Sequence, residues 1–311
     1  MISKIKTNSR EEWLALRKNY IGGSDAASVV GLNPYGSAYQ LWAEKTGRIP
    51  GFEGNLATKV GTYLEEFVAK LFEEETGKKV KRDNQSFVND QYPFAIADID
   101  RAVIGENAGL EIKTCSALSL KRFKGGDYPS NYYVQCMHYL AVTGKDKWYL
   151  AVLIGNSDFR IFEIERDQAE IDALMAAEEQ FWQYVKDDTA PNTDGSDATS
   201  ATISALYPYS NKDESVSLEQ FKEQLKQRAI CDAQIKELKA VKDSIDNSIK
   251  DFMKTAEKGI CEGYTVSYST QNRRTFDTEA FAEAHKDTDL TPYYKTSTSR
   301  VFKITQKKEK K

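Results

Sequence analysis

The stretch that decides the fold is Phe94-Ala-Ile-Ala-Asp-Ile-Asp-Arg101, followed closely by Gly109-Leu-Glu-Ile-Lys-Thr114. Both pieces alternate apolar and charged residues, which is the pattern of strands with two different faces. Read as neighbouring strands, they place Glu111 and Lys113 on one face and the apolar residues around Glu111 on the other. The sequence therefore predicts a polar sheet face lying over a hydrophobic layer.

Two aspartates complete this polar face. Asp98 and Asp100 share a face in the same way, and the connection through residues 102–109 is short and ends in Gly-Glu-Asn-Ala-Gly, which is typical of turns. We therefore expect two or three carboxylates and one ammonium group to meet at the end of a sheet. Hard divalent ions such as Mg²⁺ prefer oxygen ligands and would relieve the repulsion among the carboxylates.

An Asp followed some ten residues later by Glu-x-Lys is the set of groups that metal-dependent phosphodiester hydrolysis requires. The metal stabilises charge at the scissile phosphate, and the lysine orients or deprotonates the attacking water. On this motif alone, an exposed hairpin with ordinary alternating charges is the more frequent explanation, because acids and lysines are common. The rest of the chain must decide between the two.

The composition excludes several classes of protein. The four cysteines are scattered and form no CxxC pair, and there are two histidines, so a zinc knuckle, an iron–sulfur cluster or a histidine-rich metal site is not expected. No apolar run approaches the roughly 18 residues of a membrane helix. The N-terminus lacks the core of a signal peptide. We expect a cytoplasmic protein with reduced thiols, and the net charge of -4 neither favours nor excludes a DNA-binding groove.

The spacing of apolar residues predicts an α/β fold with a central mixed sheet of about five strands flanked by helices. The expected strands lie near residues 79–89, 94–104, 108–115, 148–153 and 159–164. The expected helices are 8–19, a short one from Ala26, 37–46, 56–76, 132–142 and 168–185. These elements together form a first domain over residues 1–186.

A second candidate site lies near the N-terminus. The turn Gly22-Gly-Ser-Asp25 opens a short helix, and Arg17 ends the preceding helix seven residues before Ser24. An arginine, a hydroxyl and free helix amides can bind a terminal phosphate. The alternative is a helix cap without a ligand. On the helix 56–76, Glu65 lies at the edge of the apolar stripe, where a carboxylate is more often a surface residue than a ligand.

The C-terminal third is expected to be structurally separate. Residues 187–212 are predicted as a linker, rich in Asp, Ser, Thr, Pro and Gly, and 213–311 as an accessory region. That region contains a long amphipathic helix over 217–254, strand-like stretches at 260–270 and 295–305, and a basic tail at 307–311. The apolar stripe of the helix is interrupted near Arg228 and Asp232. It must be buried against the first domain, in a hairpin, or against another copy.

Taken together, these motifs resemble the YqaJ-type viral recombinase family, which is grouped with the bacteriophage lambda exonuclease in the PD-(D/E)xK, restriction-endonuclease-like superfamily. The resemblance covers about residues 9–185 and rests on four separated motifs in the right order. They are Arg17-x(3)-Ile-Gly-Gly-Ser24-Asp, Gly61-x(3)-Glu65, Asp100-x(10)-Glu111-Ile-Lys113 and Tyr132-x-x-Gln135-x-x-His-Tyr-Leu-Ala-Val-Thr-Gly144.

The resemblance implies a Mg²⁺-dependent 5′→3′ exonuclease, with Mn²⁺ as an alternative ion. It would act on ends of linear double-stranded DNA and leave 3′ single-stranded tails for a phage-type strand-annealing partner. It also implies a homo-oligomer, a ring trimer. A structure-specific or nicking endonuclease, and a non-catalytic module that binds DNA ends, are the alternatives.

The resemblance also implies roles for individual residues. Asp100, Glu111 and the Ile112 carbonyl would bind the metal, and Glu65 would reach it directly or through water. Lys113 would position the water, Arg17 and Ser24 would hold the 5′-phosphate, and Tyr132 and Gln135 would line the site near the scissile nucleotide. The proline that precedes the first aspartate in the family is absent here. Asp98 is therefore a second candidate for the ligand role, and Asp100 is preferred because Asp-Arg-Ala-Val aligns with the Asp-Gly segment of the family.

Overall fold

The structure is a computed structural model that describes residues 1–306. It consists of two compact units, Met1–Pro208 and Tyr209–Lys311. The basic tail expected at residues 307–311 lies outside the described residues. In the described part of the chain, no helix is both long and apolar enough to cross a membrane.

The first unit has an α/β architecture, as predicted. Its helices are α1 (Arg10–Lys18), α2 (Gly23–Val29), α3 (Ala38–Lys45), α4 (Leu56–Thr76), α5 (Ser130–Thr143), α6 (Gln168–Lys186) and α7 (Asp197–Leu206). Its strands are β1 (Ile2–Ile5), β2 (Ile21–Gly22), β3 (Val80–Lys81), β4 (Ser86–Asn89), β5 (Tyr92–Ala97), β6 (Arg101–Val103), β7 (Ala108–Cys115), β8 (Lys147–Ile154) and β9 (Asp158–Glu165). A 3₁₀ segment, Ala117–Gly126, follows β7.

These strands form two sheets where the sequence predicted one. The five-stranded sheet has the order β3-β6-β7-β8-β9 and is mixed, because β7 and β8 are parallel and the other pairs antiparallel. The four-stranded sheet has the order β1-β4-β5-β2. The stretch expected to be one strand over 94–104 is thus divided: β5 belongs to the four-stranded sheet and β6 to the five-stranded one.

Local side-chain bonding accounts for this break. Between β5 and β6, the Asp98 carboxylate accepts a hydrogen bond of 2.5 Å from the Ser86 hydroxyl. The Asp100 carboxylate accepts one of 2.7 Å from the backbone N–H of Ile112. Short acidic side chains that bond to nearby groups in this way compete with a regular strand ladder. The aspartates therefore connect the two sheets instead of continuing one strand.

Strand β8 forms the centre of the core because both of its faces are covered. Trp148, Leu150 and Val152 pack into a cluster that includes residues of α5 and α6, whereas Tyr149 and Ala151 pack into a second cluster that includes residues of α4. The sequence of a parallel strand that is buried on both faces is a nearly continuous run of apolar residues, and β8 has such a sequence. The sheet therefore lies between α4 on one side and α5 and α6 on the other.

The end of the first unit differs from the predicted linker. Residues 187–212 were expected to lack regular structure, but α7 lies within them and the unit continues to Pro208. Ser196 caps α7 by accepting a hydrogen bond of 3.1 Å from the backbone N–H of Thr199. The Thr199 hydroxyl, in turn, donates to Ser37 at 2.8 Å and is buried. The linker prediction is therefore wrong for the part of the segment that forms α7, where the hydroxyl groups of Ser196 and Thr199 make hydrogen bonds within the fold.

The second unit contains the predicted long helix, α8 (Lys222–Met253), preceded by a 3₁₀ turn, Glu219–Phe221. An antiparallel hairpin follows, formed by β10 (Lys258–Cys261) and β11 (Tyr264–Ser267), and then a short helix α9 (Thr278–Ala284). The strand expected over 295–305 is absent, because that described stretch pairs with no other strand.

Candidate active site

The candidate active site is built on β7, where the predicted alternation is present. Glu111 and Lys113 lie on the same face, with Lys113 Nζ 2.5 Å from Glu111 Oε1. Leu110 and Ile112 point the other way, into the hydrophobic cluster that contains residues of α4. Glu111 is almost fully buried, with 3% of its surface exposed. The strand thus fixes a carboxylate and an ammonium group side by side at its polar face.

Asp100 joins this pair from the connection between the two sheets. Its carboxylate accepts a hydrogen bond of 2.7 Å from the backbone N–H of Ile112, the residue between Glu111 and Lys113. Asp98 bonds to Ser86 instead. Of the two candidate aspartates, Asp100 is therefore the one attached to β7, which supports the preference for it as the ligand.

Gln135 of α5 connects the carboxylate and the ammonium group from a third element. Its Nε2 donates to Glu111 Oε1 at 2.7 Å, and its Oε1 accepts from Lys113 Nζ at 2.9 Å. One amide therefore orients both groups. Its NH₂ faces the carboxylate, which can only accept, and its oxygen faces the ammonium group, which can only donate. The Tyr132 ring, one turn earlier on α5, lies with its centroid 5.4 Å from Lys113 Nζ. The structure brings Tyr132 and Gln135 to the site, as expected.

The electrostatics of the cluster are those of buried, mutually dependent charges. Burial, together with the nearby Glu111 carboxylate, raises the pKa of Asp100 well above its usual range. Burial opposes the charge of Lys113, but the Glu111 and Asp100 carboxylates outweigh it, and the pKa of Lys113 is raised. A further cation beside Asp100 would therefore favour its charged form.

The residues fit a hard divalent cation. Among the described residues, Glu111 Oε2 is a buried oxygen without a hydrogen-bond partner, although its neighbour Oε1 has two. Within residues 1–306, no group of three or more His, Cys, Asp and Glu side chains is arranged to bind a metal. Mg²⁺ is commonly held by one or two carboxylates together with water and substrate phosphate, which is what Asp100 and Glu111 offer. The ligand role of the Ile112 carbonyl stays a prediction.

Glu65 of α4 has a different environment from the one expected. Its Oε1 accepts hydrogen bonds from Arg82 at 2.6 Å and from Arg101 at 2.5 Å. Burial opposes its charge, but these two arginines outweigh it and lower its pKa. Arg101 also donates to the Asp100 carbonyl at 2.6 Å and to Glu66 at 3.0 Å. Glu65 is thus held beside the site by arginines, and its role as a metal ligand stays a prediction.

The structure brings Arg17 and Ser24 of the second candidate site together, with Asp25 and Lys45 beside them; their role in phosphate binding stays a prediction. Arg17 Nη2 donates to Ser24 Oγ at 2.7 Å and lies 3.6 Å from Asp25 Oδ1. Lys45 Nζ lies 2.8 Å from Asp25 Oδ2. Two cations therefore surround one carboxylate. Burial opposes the charge of Asp25, but Lys45 and Arg17 outweigh it and hold its pKa low.

Tyr139 of α5 connects the two sites, a role that the sequence alone did not indicate. Its hydroxyl accepts a hydrogen bond of 2.7 Å from Gln135 Nε2. Its ring packs against the Gly22-Gly23 turn so closely that a Cβ on Gly23 would lie 2.5 Å from it. The four-residue spacing from Gln135, which places both on one helix flank, is the signal that could have identified it.

His138, the third polar residue on this stretch of α5, lies in the core. Its Nδ1 is 2.8 Å from the Glu178 carboxylate of α6, and its Nε2 is 2.9 Å from the Ile96 carbonyl of β5. Both side chains are fully buried. Because both ring nitrogens face acceptors, the pair holds α5, α6 and the four-stranded sheet together.

Comparison with known proteins identifies the family and the fold. Residues 12–146 match the model of the YqaJ-like viral recombinase domain. The chain is 37% identical over 292 residues to protein YqaJ of Bacillus subtilis (strain 168), an alignment that covers 92% of this chain and 92% of that protein. A 63-residue segment is 41% identical to protein D345L of African swine fever virus (strain Badajoz 1971 Vero-adapted), covering 20% of this chain and 18% of that protein.

Among solved structures, the alkaline exonuclease LHK-Exo from Laribacter hongkongensis superposes with a TM-score of 0.50 at 24% identity. The superposition covers 57% of this chain and 93% of that one. This similarity establishes a shared fold for the first unit. The match over 92% of the Bacillus subtilis protein, together with the match to the family model, shows that the chain belongs to the YqaJ-like viral recombinase family.

Proposed function

We propose that the chain is a metal-dependent 5′→3′ exonuclease. It degrades one strand of linear double-stranded DNA from a 5′-phosphorylated end and leaves 3′ single-stranded tails. The observation that carries this proposal is the convergence of Asp100, Glu111 and Lys113, with Gln135 bonded to Glu111 and Lys113 and the Ile112 N–H bonded to Asp100. The similarity to LHK-Exo, an alkaline exonuclease with the same fold, supports it.

Mg²⁺, with Mn²⁺ as the alternative, would be held by Asp100 and Glu111 and would supply charge stabilisation at the scissile phosphate. Burial opposes the charge of Lys113, but the Glu111 and Asp100 carboxylates outweigh it and raise its pKa. Its Nζ, held by Glu111 and Gln135, would position the attacking water. Gln135 holds that Nζ and the Glu111 carboxylate in a fixed relation, so that both face the reacting phosphate.

The second site supports the proposed direction of digestion. Arg17 and the exposed Ser24 hydroxyl would offer a positive charge and a hydroxyl to a terminal phosphate, whereas Lys45 is committed to Asp25 and to the Arg17 and Tyr20 carbonyls. Tyr139 lies between the Gly23 turn and Gln135, so a 5′-phosphate bound there would be held at a fixed distance from Lys113. A DNA end bound in this way is cut from its 5′ terminus.

The biological setting is proposed from family membership. The 3′ tails would serve a strand-annealing partner in phage-type recombination. The enzyme would act in the cytoplasm, and the first units would assemble into a ring trimer around DNA. None of these features is needed for the chemistry of Asp100, Glu111 and Lys113.

Digestion of end-labelled DNA tests the proposal. Linear duplex labelled at either the 5′ or the 3′ terminus, and covalently closed circular DNA, are incubated with the protein in Mg²⁺, in Mn²⁺ and in EDTA. We expect early release of the 5′ label, a persistent 3′ label, an intact circle and no reaction in EDTA. Cutting of the circle would indicate an endonuclease instead, and end binding without nucleotide release would indicate a non-catalytic module.

A further inference from the structure

The long helix α8 of the second unit carries an exposed face that is mainly apolar. Positions at alternating spacings of three and four run along one side of it, and seven of the ten are apolar: Phe221, Gln224, Arg228, Cys231, Ile235, Leu238, Lys242, Ile245, Ile249 and Phe252. We call this set the α8 seam. Its central members are open to solvent, with 63% of Ile235 and 70% of Leu238 exposed. A seam of this spacing is the signature of a coiled coil.

We propose that the α8 seam pairs with the α8 seam of a second copy of this chain in an antiparallel coiled coil. The hairpin that follows α8 covers its end at Met253, which is buried against Gly259, and leaves the seam free. The pairing is isologous, so the same surface supplies both halves of the interface. It joins two second units and requires no residue of the candidate active site.

The charges within the seam favour the antiparallel over the parallel arrangement. In a parallel pair each residue of the seam faces its own counterpart, so Arg228 would face Arg228 and Lys242 would face Lys242. In the antiparallel pair, with Ile235 facing Leu238 of the second copy, both like-charge contacts disappear. Arg228 then faces Ile245 of the second copy and Lys242 faces Cys231. The two aromatic ends, Phe221 and Phe252, face each other.

The two cations in the seam are also neutralised within their own helix. Arg228 donates to Asp232 at 2.7 Å, and Lys242 donates to Asp246 at 3.0 Å. Each acid lies four residues after its partner, next to the seam. Long basic side chains can therefore extend their apolar stems over the interface while their charged ends reach a carboxylate at its edge.

The charges beside the seam fix the register. In the full-length antiparallel register, Asp232 of each copy lies beside Lys239 of the other, which gives two complementary contacts. A slip of one heptad in one direction brings Asp232 against Asp232, and a slip in the other direction brings Lys239 against Lys239. Residues that flank a coiled-coil seam choose partner and orientation by such pairs. The sequence thus favours one register and opposes its two neighbours.

A charge exchange in the full-length protein tests the pairing. Asp232→Lys places two ammonium groups side by side at both contacts with Lys239 of the other copy, so we expect the assembly mass in light scattering to fall at low micromolar concentration. Asp232→Lys combined with Lys239→Asp restores the opposite charges and should restore the mass. Glu237→Lys, on the outer face of α8, makes the same change of charge and should have no effect. Failure of the double exchange to restore the mass, or an unchanged mass in Asp232→Lys, would overturn the proposal.

Cysteine cross-linking tests the orientation and does not depend on contacts made by the first unit. In a Cys231→Ser, Cys261→Ser background, Ile235→Cys protein is mixed with Leu238→Cys protein under mild oxidation. The antiparallel register predicts a disulfide-linked dimer in the mixture that exceeds the product of either variant alone by several fold. Equal or greater cross-linking of each variant with itself would indicate a parallel pair. No cross-linking in any sample would show that the two seams do not meet and would also overturn the proposal.

Discussion

Gln135 on α5 donates a hydrogen bond of 2.7 Å from its Nε2 to Glu111 Oε1 on β7. The same amide accepts a hydrogen bond of 2.9 Å from Lys113 Nζ. A helix thereby fixes two charged groups of the neighbouring sheet strand, and the geometry of the site depends on the packing of α5 against the sheet.

The first prediction concerns this amide. Gln135→Ala leaves Glu111 and Lys113 in contact but removes the group that orients them. Loss of a partner that orients a metal ligand typically lowers activity by roughly 10–100-fold. We expect a decrease of that size in the single-turnover rate of nucleotide release, measured well below the melting temperature of the variant, because Gln135 is buried and its loss also removes the hydrogen bond to Tyr139. A rate equal to that of the wild type would show that Lys113 and Glu111 position each other without Gln135.

The second prediction separates packing from hydrogen bonding at Tyr139. Tyr139→Phe removes the hydroxyl that bonds to Gln135 and keeps the ring under Gly23, so it should cost about 1 kcal/mol of stability. Gly23→Ala places a Cβ 2.5 Å from that ring and forces the turn to move. We expect Gly23→Ala to reduce the preference for 5′-phosphorylated over 5′-hydroxyl ends far more than Tyr139→Phe does.

A control for Gly23→Ala is Gly51→Ala, because a Cβ at Gly51 would meet nothing within 4 Å. The ratio of digestion rates on phosphorylated and unphosphorylated duplex is the measurement. A Gly23→Ala protein that keeps the ratio of the Gly51→Ala protein would show that the turn does not bind the terminal phosphate.

The third prediction concerns Arg101, which is buried and contacts Glu65, Glu66 and the Asp100 carbonyl. Removing one partner of a fully buried ion pair costs roughly 3–5 kcal/mol. Glu65 keeps its bond to Arg82 and the Glu66 side chain is 67% exposed, so we expect Arg101→Met to lower the free energy of unfolding in urea by less, about 1–3 kcal/mol. Arg82→Met removes the second arginine that bonds to Glu65. The Arg82 side chain is 53% exposed, and because an exposed ion pair contributes about 0–1 kcal/mol, we expect the smaller effect from this variant. Equal effects of the two substitutions would contradict the assigned role of Arg101.

The fourth prediction is a pH dependence of stability that comes from His138 and Glu178. Burial opposes the charged imidazole, but the Glu178 carboxylate outweighs it, so the pKa of His138 is raised in the folded state. Burial raises the pKa of Glu178 as well, against the opposing effect of His138. The folded chain thus binds protons more tightly than the unfolded chain, and unfolding releases them. The stability that protonated His138 contributes through Glu178 is fully present below the ordinary histidine pKa of about 6.5. It is lost as the pH rises through the raised pKa of His138 in the folded state.

Urea unfolding between pH 6 and pH 9 measures this slope. The double variant His138→Gln, Glu178→Gln has no titrating group at this position and should show a flatter dependence than the wild type. If the slopes of the two proteins are the same, the buried pair does not carry the linkage.

The sequence predicted the parts of the site that depend on the spacing of apolar and polar residues along a single strand or helix. The alternation along β7 determined that Glu111 and Lys113 share a face, and the structure confirms it. The helix 56–76 was predicted with the bounds that α4 has. Such features need only the spacing of residues along one element.

The features that the sequence did not predict depend on which elements meet. Alternation cannot show which sheet a strand joins, so the division between β5 and β6 at Asp98 and Asp100 was missed. The bonding of Glu65 to Arg82 and Arg101 joins three separate segments and has no local signal. Helix α7 was missed because Ser, Thr and Asp favour caps and turns, and it forms where Thr199 reaches Ser37.

The measurement that tests the central claim most directly is single-turnover digestion of 5′-labelled linear duplex in Mg²⁺ by the wild type and by Lys113→Ala. Lys113 Nζ contacts both Glu111 and Gln135, so its removal should lower the rate by at least about 10³-fold while DNA-end binding persists. A Lys113→Ala protein that digests the duplex at the wild-type rate would contradict the assignment of Asp100, Glu111 and Lys113 as the catalytic site.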